Sequence, residues 1–386
     1  MQVTLFGGGM IAHDQILPSL YQLQRLGLVG EIAVVARHES TLRALADAPA
    51  IREAFPDREF KPVLMRPNMQ PEMQPRNIAV IALPDQLHFE AVMSALEADQ
   101  HVICVKPLVL KAAQAETIER EARPRALFVG VEYHKRFDDR SLMARRKYRA
   151  GQFGEFRLGT AWLMEKWYYR HSNFQNWCTT ENSDAFTYIG CHYVDLVHFI
   201  TGLIPESISV YGIRDRFPNG NEGFLWTDAR VIWNNGACLN VQNSLGCPDA
   251  APGTNTQGLT MYCSGSDRGA LLKHSDQYRG LEYVYTDPAA YAEPSPDYFQ
   301  YVDLGGPGLT PVGYGYRSIE NLVRACLRVE QAGDKQRELR RIDDEGILAT
   351  PANSRYNEWT IEAARQYILN GGVTVPIHAY ANQATR

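Results

Sequence analysis

No stretch of this 386-residue sequence approaches the roughly 20 consecutive apolar residues that a membrane-spanning helix needs, so no membrane partner is expected. Basic residues are not in excess either. Lys and Arg number 39 against 44 Asp and Glu, which leaves no general positive field to draw the chain onto nucleic acid or anionic lipid. Cys104, Cys178, Cys191, Cys238, Cys247, Cys263 and Cys326 are an odd set with no CxxC pair. That spacing argues against a disulfide framework and a structural zinc site; reduced, mostly buried thiols and no bound metal are the expectation. The opening MQVTLFGGG runs straight into a strand pattern without a basic leader, which points to the cytoplasm.

Apolar residues are plentiful, at 45% against 22% charged, and the length is too great for one ordinary core, so two domains are expected. Up to about residue 135, short apolar runs alternate with amphipathic segments. Val3–Phe6, Ile32–Val35, Ile78–Ile81, His101–Cys104 and Ala126–Val129 read as strands, continuous enough to be covered on both faces of a parallel sheet. Helical periodicity covers Asp14–Gln24, His88–Ala98 and Ala112–Glu121. Residues 1–135 thus form a doubly wound α/β domain. Residues 136–386 read as an α+β domain with a large, mostly antiparallel open sheet. Its clearest signal is the hairpin Asp228–Trp233, Asn234-Asn235-Gly236, Ala237–Asn243. Helices return at Tyr193–Thr201, Ser318–Gln331 and 358–369, the last placed to return toward the junction of the domains, and Asp287–Tyr314 reads as long surface loop.

The first strand ends in Gly7-Gly8-Gly9-Met10-Ile11-Ala12, which fits G-x-G-x-x-A immediately before a helix. In that context Gly7 permits a tight turn, Gly9 lets backbone N–H groups approach a pyrophosphate, and Ala12 lets the helix pack closely on the strand. The residues of the turn, Gly7, Gly9, Met10 and Ile11, are therefore assigned to a dinucleotide. An acid is expected after the second strand to bind the ribose, but Ala36 and Arg37 stand there. An Arg beside the vacant position suits a 2′-phosphate, so the cofactor is NAD(P), with NADP somewhat favoured over NAD.

Four further pieces recur in order: Pro84 to His88 as P-x-x-x-H, Lys106-Pro107, Gly190-Cys191-His192-Tyr193-Val194-Asp195 as G-x-H-x-x-D, and Asn-Gly in the second-domain hairpin. Together with the glycine turn they resemble the Gfo/Idh/MocA family of glucose-fructose oxidoreductases and inositol dehydrogenases. The resemblance implies an N-terminal Rossmann domain, a C-terminal domain whose open sheet often makes homo-oligomer contacts, and hydride transfer between nicotinamide and a hydroxyl-bearing carbon of a sugar, glycoside or polyol. Leu83, Pro84, His88 and Lys106 then fall to the cofactor. Lys106 also stabilises alkoxide character, and His192 is the acid/base, since alcohol oxidation loses a proton as well as a hydride and imidazole titrates near neutrality. Asp195 either holds that ring or serves packing.

Two positions depart from the family pattern. Tyr188 stands where D-x-G-x-H has Asp, and Cys104 stands where E-K-P has Glu. Tyr188 is a candidate substrate contact, and Asp184, one turn earlier, is a candidate replacement charge. The block from Trp162 to Tyr188 interleaves aromatics with amides and cations, which suits a carbohydrate ring or an ordinary core equally. Trp167, Tyr168, Arg170 and Tyr133 are taken as substrate-lining. Lys135 or Arg136, in the R-F segment, is placed to face cofactor or substrate, with a solvated basic turn the favoured reading for Lys135. Two other functions share these motifs: redox-assisted glycoside cleavage on tightly held NAD, in which a transient ketone drives elimination, and a non-catalytic nucleotide sensor or scaffold.

Overall fold

The computed structural model describes residues 1–66, 71–251, 255–266, 269–275, 297–370, 372 and 375–376. The chain begins with β1 (Val3–Phe6), α1 (Leu17–Arg25), β2 (Ile32–Ala36), α2 (Glu39–Ala46), α3 (Pro49–Ala54), β3 (Lys61–Leu64), β4 (Ile78–Ile81), α4 (His88–Glu97), β5 (His101–Val105), α5 (Ala112–Ala122) and β6 (Val129–Glu132). It continues with α6 (Asp139–Arg149), β7 (Glu155–Lys166), α7 (Cys191–Thr201), β8 (Pro205–Arg216), β9 (Glu222–Trp233), β10 (Cys238–Cys247), β11 (Asn255–Ser264) and β12 (Gly269–His274). Last come β13 (Gln300–Val302), β14 (Thr310–Val312), α8 (Tyr314–Gln331), α9 (Lys335–Glu345), α10 (Pro351–Ser354), α11 (Tyr356–Leu369) and β15 (Val375–Pro376).

These elements form two compact units. The first comprises Met1–Val109, Gln114–His134 and Tyr298–Asn353. Its sheet has the order β3-β2-β1-β4-β5-β6, with every neighbouring pair parallel. The interior strands are largely apolar, β4 wholly so as Ile78-Ala79-Val80-Ile81, because helices cover both faces. The sequence reading lacked β3. That strand is an exposed edge strand containing Pro62, and an edge is where a sheet tolerates a residue that cannot donate to the ladder. The expected strand Ala126–Val129 is shifted to Val129–Glu132 because Ala126 adopts φ 51° in the turn that closes α5. Residues 298–353, which the linear reading gave to the C-terminal domain, belong to this unit. Part of the expected 287–314 loop is the antiparallel hairpin β13–β14; residues 287–296 lie outside the described set.

The second unit comprises Leu110–Ala113, Lys135–Asp297 and Ser354–Arg386. Its sheet runs β12-β11-β7-β10-β9-β8-β15. All pairs are antiparallel except β7 with β10, so the sheet is mixed and mostly antiparallel. The β9–β10 hairpin turns at Asn234-Asn235-Gly236, with Gly236 at φ 78°, a backbone that favours Gly. Helix α7 packs against α6 and α11, and every one of its residues but His198 is buried. Helix α11, expected at the domain junction, also packs on β8.

Candidate functional site

In the first unit the glycine turn is built as the motif requires. Gly7 has φ 105°, and a Cβ there would lie 2.1 Å from the Ala82 carbonyl oxygen. Only glycine fits so close to the end of β4. Gly9 differs: it is exposed, and an added Cβ meets nothing within 4 Å. The backbone there faces open space, and the next turn starts a helix in which His13 N donates to Gly9 O at 3.1 Å. Ala12 is fully buried. Backbone N–H groups at a helix start, with room before them, fit a dinucleotide pyrophosphate. Met10 and Ile11 are half-buried in the same turn.

That helix is not regular. Ala12–Ile16 form a π-turn before α1, where the sequence pattern gave plain α-helix. Pro18 explains the widening: it has no N–H for the Asp14 carbonyl, and its ring would press on that carbonyl in a tight α-turn. The π-turn buries Gln15, whose Nε2 donates to Glu132 Oε1 at 2.9 Å and to Gly315 O at 3.1 Å. Ser318 Oγ donates to the same Glu132 oxygen at 2.7 Å. Glu132 ends β6, so this network ties the cofactor-side helix to the sheet edge. Sequence reasoning missed Gln15 and Glu132, which belong to no motif.

At the end of β2, Ala36 is buried and Arg37 is exposed, with no hydrogen bond or ion pair to another residue among the described residues. Leu83 and Pro84 are half-buried after β4. His88 does not face solvent. It is 0% exposed, with Nδ1 2.7 Å from Pro107 O and Nε2 2.8 Å from Leu83 O. With both ring nitrogens on backbone oxygens, His88 is not a direct cofactor contact. Lys106 is half-buried and directly follows β5, at the carboxyl edge where parallel sheets place ligands; its peptide bond to Pro107 is cis. Cys104 is buried, its thiol turned toward Leu108 O at 3.9 Å.

In the second unit His192 lies in the first turn of α7 and is 5% exposed. A second π-turn, Phe186–Gly190, leads into that helix. Gly190 is obligatory, since a Cβ would sit 2.5 Å from Asn243 Oδ1 and 2.6 Å from the Phe186 ring. Asp184 sets the turn. One oxygen accepts Thr187 N at 2.8 Å, and the other accepts Thr187 Oγ1 at 2.8 Å and Arg365 Nη1 at 3.0 Å. Asp184 is therefore a helix-starting cap paired with the half-buried Arg365, its carboxylate satisfied from within the chain. Asp195 is likewise not on the His192 ring. Its carboxylate accepts Arg136 Nε at 2.8 Å and Nη2 at 2.6 Å, Tyr356 OH at 2.9 Å and Asn357 Nδ2 at 3.1 Å. This bidentate pair locks α7 to the 136 and 356 segments, and the Tyr356 phenol is raised well above its ordinary pKa by burial and by that carboxylate.

Lys135 and Arg136 are both buried, so neither forms an open basic turn; Lys135 donates to Gln257 Oε1 and lies 5.3 Å from the Tyr193 ring centroid. Tyr133, taken as substrate-lining, is also buried. The aromatic block divides. Phe174 and Phe186 are core, and Tyr188, half-buried, packs on Phe174 and Trp177 with centroids 4.7 and 5.5 Å away. Arg170 is 3% exposed, bound to Leu245 O at 2.9 Å and Asp215 at 2.7 Å, so it is a buried support rather than a substrate ligand. Its guanidinium lies 3.9 Å from the Trp167 centroid. Trp167 and Tyr168 themselves remain open, 42% and 44% exposed. Lys166, which the sequence reading passed over, fixes the neighbouring loop by donating to Pro248 O, Asp249 O and Ala251 O.

All seven cysteines are free thiols. Among the described residues no group of three His, Cys, Asp or Glu side chains is placed to hold a metal ion, and no helix is long and apolar enough to cross a membrane.

A six-stranded parallel sheet of this order, with a glycine turn leading from its central strand into a helix, defines a dinucleotide-binding protein of the Rossmann class. Residues 1–133 match the model of an oxidoreductase family with an NAD-binding Rossmann fold. The scyllo-inositol 2-dehydrogenase (NADP(+)) of Bacillus subtilis is 22% identical over 168 residues, 43% of this chain and 45% of that protein. The D-glucoside 3-dehydrogenase of Escherichia coli is 24% identical over 208 residues, 52% and 54% of the two chains. The chain spans about half the length of these curated relatives. The fold is similar to that of apo scyllo-inositol dehydrogenase from Lactobacillus casei, with TM-score 0.67 and 12% identity over 98% of each chain. Residues 1–133 thus match the NAD-binding Rossmann domain of the Gfo/Idh/MocA oxidoreductases, and the fold of the chain is similar to that of solved inositol dehydrogenases.

Proposed function

We propose that this chain is an NAD(P)-dependent dehydrogenase acting on a hydroxyl-bearing carbon of a sugar, glycoside or polyol. The observation that carries the reading is the edge of the first sheet. The open glycine turn follows β1 and Lys106 follows β5, two strands away, so one carboxyl edge bears both a pyrophosphate cradle and an ammonium. The nicotinamide, when bound, supplies the hydride acceptor or donor. Gly7, Gly9, Met10 and Ile11 hold the dinucleotide, with Leu83 and Pro84 beside them. Lys106 hydrogen-bonds the reacting oxygen and stabilises its negative charge, and His192 takes the hydroxyl proton. The relatives' names support inositol-like and glucoside-like substrates. Trp167 offers the open aromatic face that packs on the C–H side of such rings. The absent acid at Ala36 and the exposed Arg37 favour NADP.

The enzyme is further proposed to be cytoplasmic and homo-oligomeric, through the face of the second sheet that exposes Leu158, Tyr211, Tyr262 and Leu271. Absorption by reduced nicotinamide, followed while the purified protein is incubated with NAD or NADP and a panel of polyols and glycosides, tests the function. Accumulating reduced cofactor is expected. Aglycone release without net reduction would establish redox-assisted cleavage instead, and cofactor binding with no reaction across the panel would establish a sensor.

A further inference from the structure

Two backbone segments bear on the proposed chemistry at the edge of the first sheet. The segment after β4 packs directly against the glycine turn, since a Cβ on Gly7 would strike Ala82 O at 2.1 Å and approach Leu83 at 3.4 Å. The segment after β5 carries Lys106. Neither belongs to a helix or strand at these residues, so neither is fixed by a regular hydrogen-bond ladder. The imidazole of His88 spans them. It is the first residue of α4, fully buried, with one nitrogen on Leu83 O and the other on Pro107 O. Each carbonyl otherwise sits next to a proline or a turn, and a buried carbonyl without a donor is costly.

We infer that His88 is a positioning residue that sets Lys106 relative to the glycine turn, its ring held between Leu83 O and Pro107 O with one nitrogen within hydrogen-bond distance of each. The inference rests on the role proposed above for Lys106. It differs from a cofactor contact, which the ring cannot make with both nitrogens engaged. A ring held in this way fixes the start of the lysine stem, and hence where the ammonium stands, without touching substrate.

The test reads Lys106 directly and needs no substrate. The full-length protein is reductively methylated with isotope-labelled formaldehyde, and the Lys106 methyl signal is assigned by its loss in Lys106→Met. In the wild type a single resonance distinct from surface lysines is expected. In His88→Leu it should move to the surface-lysine position or split, and in His88→Gln, which retains an N–H donor at one end, it should stay closer to the wild-type position. Should His88→Leu fail to fold, the wild-type and His88→Gln spectra carry the comparison, with a measurable displacement expected. A Lys106 resonance identical in the wild type and in the folded His88 variants overturns the inference, even if Lys106→Met is inactive. Full turnover by Lys106→Met, with the resonance displaced as expected, would instead overturn the catalytic reading.

Discussion

The helix that follows the glycine turn of β1 and the helix that carries His192 are each entered through a π-turn, yet the residues singled out beside them differ in kind. In the first unit the proposed contacts are backbone, at residues with no side chain: Gly7, where Ala82 leaves no room for one, and Gly9, before which the space is open. In the second unit the proposed group is the His192 side chain, and charged residues of the same unit act inward. Asp184 caps the π-turn and pairs with Arg365, Asp195 holds Arg136, and Arg170 holds Asp215. Motif acids can thus matter for where a histidine stands without taking part in proton transfer.

The largest effect expected from breaking this contrast is at Lys106. Lys106→Met should lower turnover by about two to four orders of magnitude with little change in cofactor affinity, measured by steady-state kinetics beside dinucleotide binding. Gly9→Asp should do the reverse in kind, leaving a folded protein that no longer binds the dinucleotide. Normal binding by that variant would remove the nucleotide assignment.

Asp195→Ala leaves the buried Arg136 without its carboxylate. A loss of about 3–5 kcal/mol in unfolding free energy is expected, read by denaturant titration. A stability within experimental error of wild type would mean the ion pair does not hold α7.

Acid should weaken both units through a histidine buried in each. His101 is lowered from 6.5 to about 4, chiefly by burial against the attraction of Glu330, and His198 to about 4 by burial and the nearby Arg136. Below pH 6.5 the unfolded chain binds the extra protons, so stability falls as pH drops from about 6.5 toward 4. The loss is on the order of 3 kcal/mol per histidine. Melting temperature against pH for the wild type and for His198→Phe checks this; an equally steep acid slope in the variant would contradict the assignment.

The smallest effect concerns cofactor choice. Ala36→Asp should shift preference from NADP toward NAD by about 1–3 kcal/mol through repulsion of the 2′-phosphate, measured as the ratio of kcat/KM for the two cofactors. A wild type strongly selective for NAD would remove Arg37 from the phosphate site.

The architecture was legible where local signals are strong. Apolar runs marked the buried parallel strands, Gly7 to Ala12 marked the turn, and Asn234-Asn235-Gly236 marked the hairpin. The return of residues 298–353 to the first unit left no local signal, because it depends on contacts between distant segments. The π-turns were equally hidden: the helical period survives one widened turn, and only Pro18 hints at the first. Among the proposed site residues, Gly7, Gly9, Lys106 and His192 were singled out by motif position, which sets them at a βα turn, a strand end and a helix start. The partners of Asp184, Arg170 and His88 were not legible because residue type alone does not reveal whether a polar group is satisfied from within; they include residues as far as 181 positions away in sequence.

The proposed contrast between a reacting histidine and structural acids is tested most directly by rapid-mixing measurement of reduced-nicotinamide formation. The wild type, His192→Ala and Asp195→Asn would be compared at equal cofactor occupancy, with the substrate that gives the fastest turnover. A fall of about two to four orders of magnitude is expected for His192→Ala, and a fall of less than about tenfold for the folded fraction of Asp195→Asn. Near-normal formation by His192→Ala, with Asp195→Asn inactive though folded, would contradict the account.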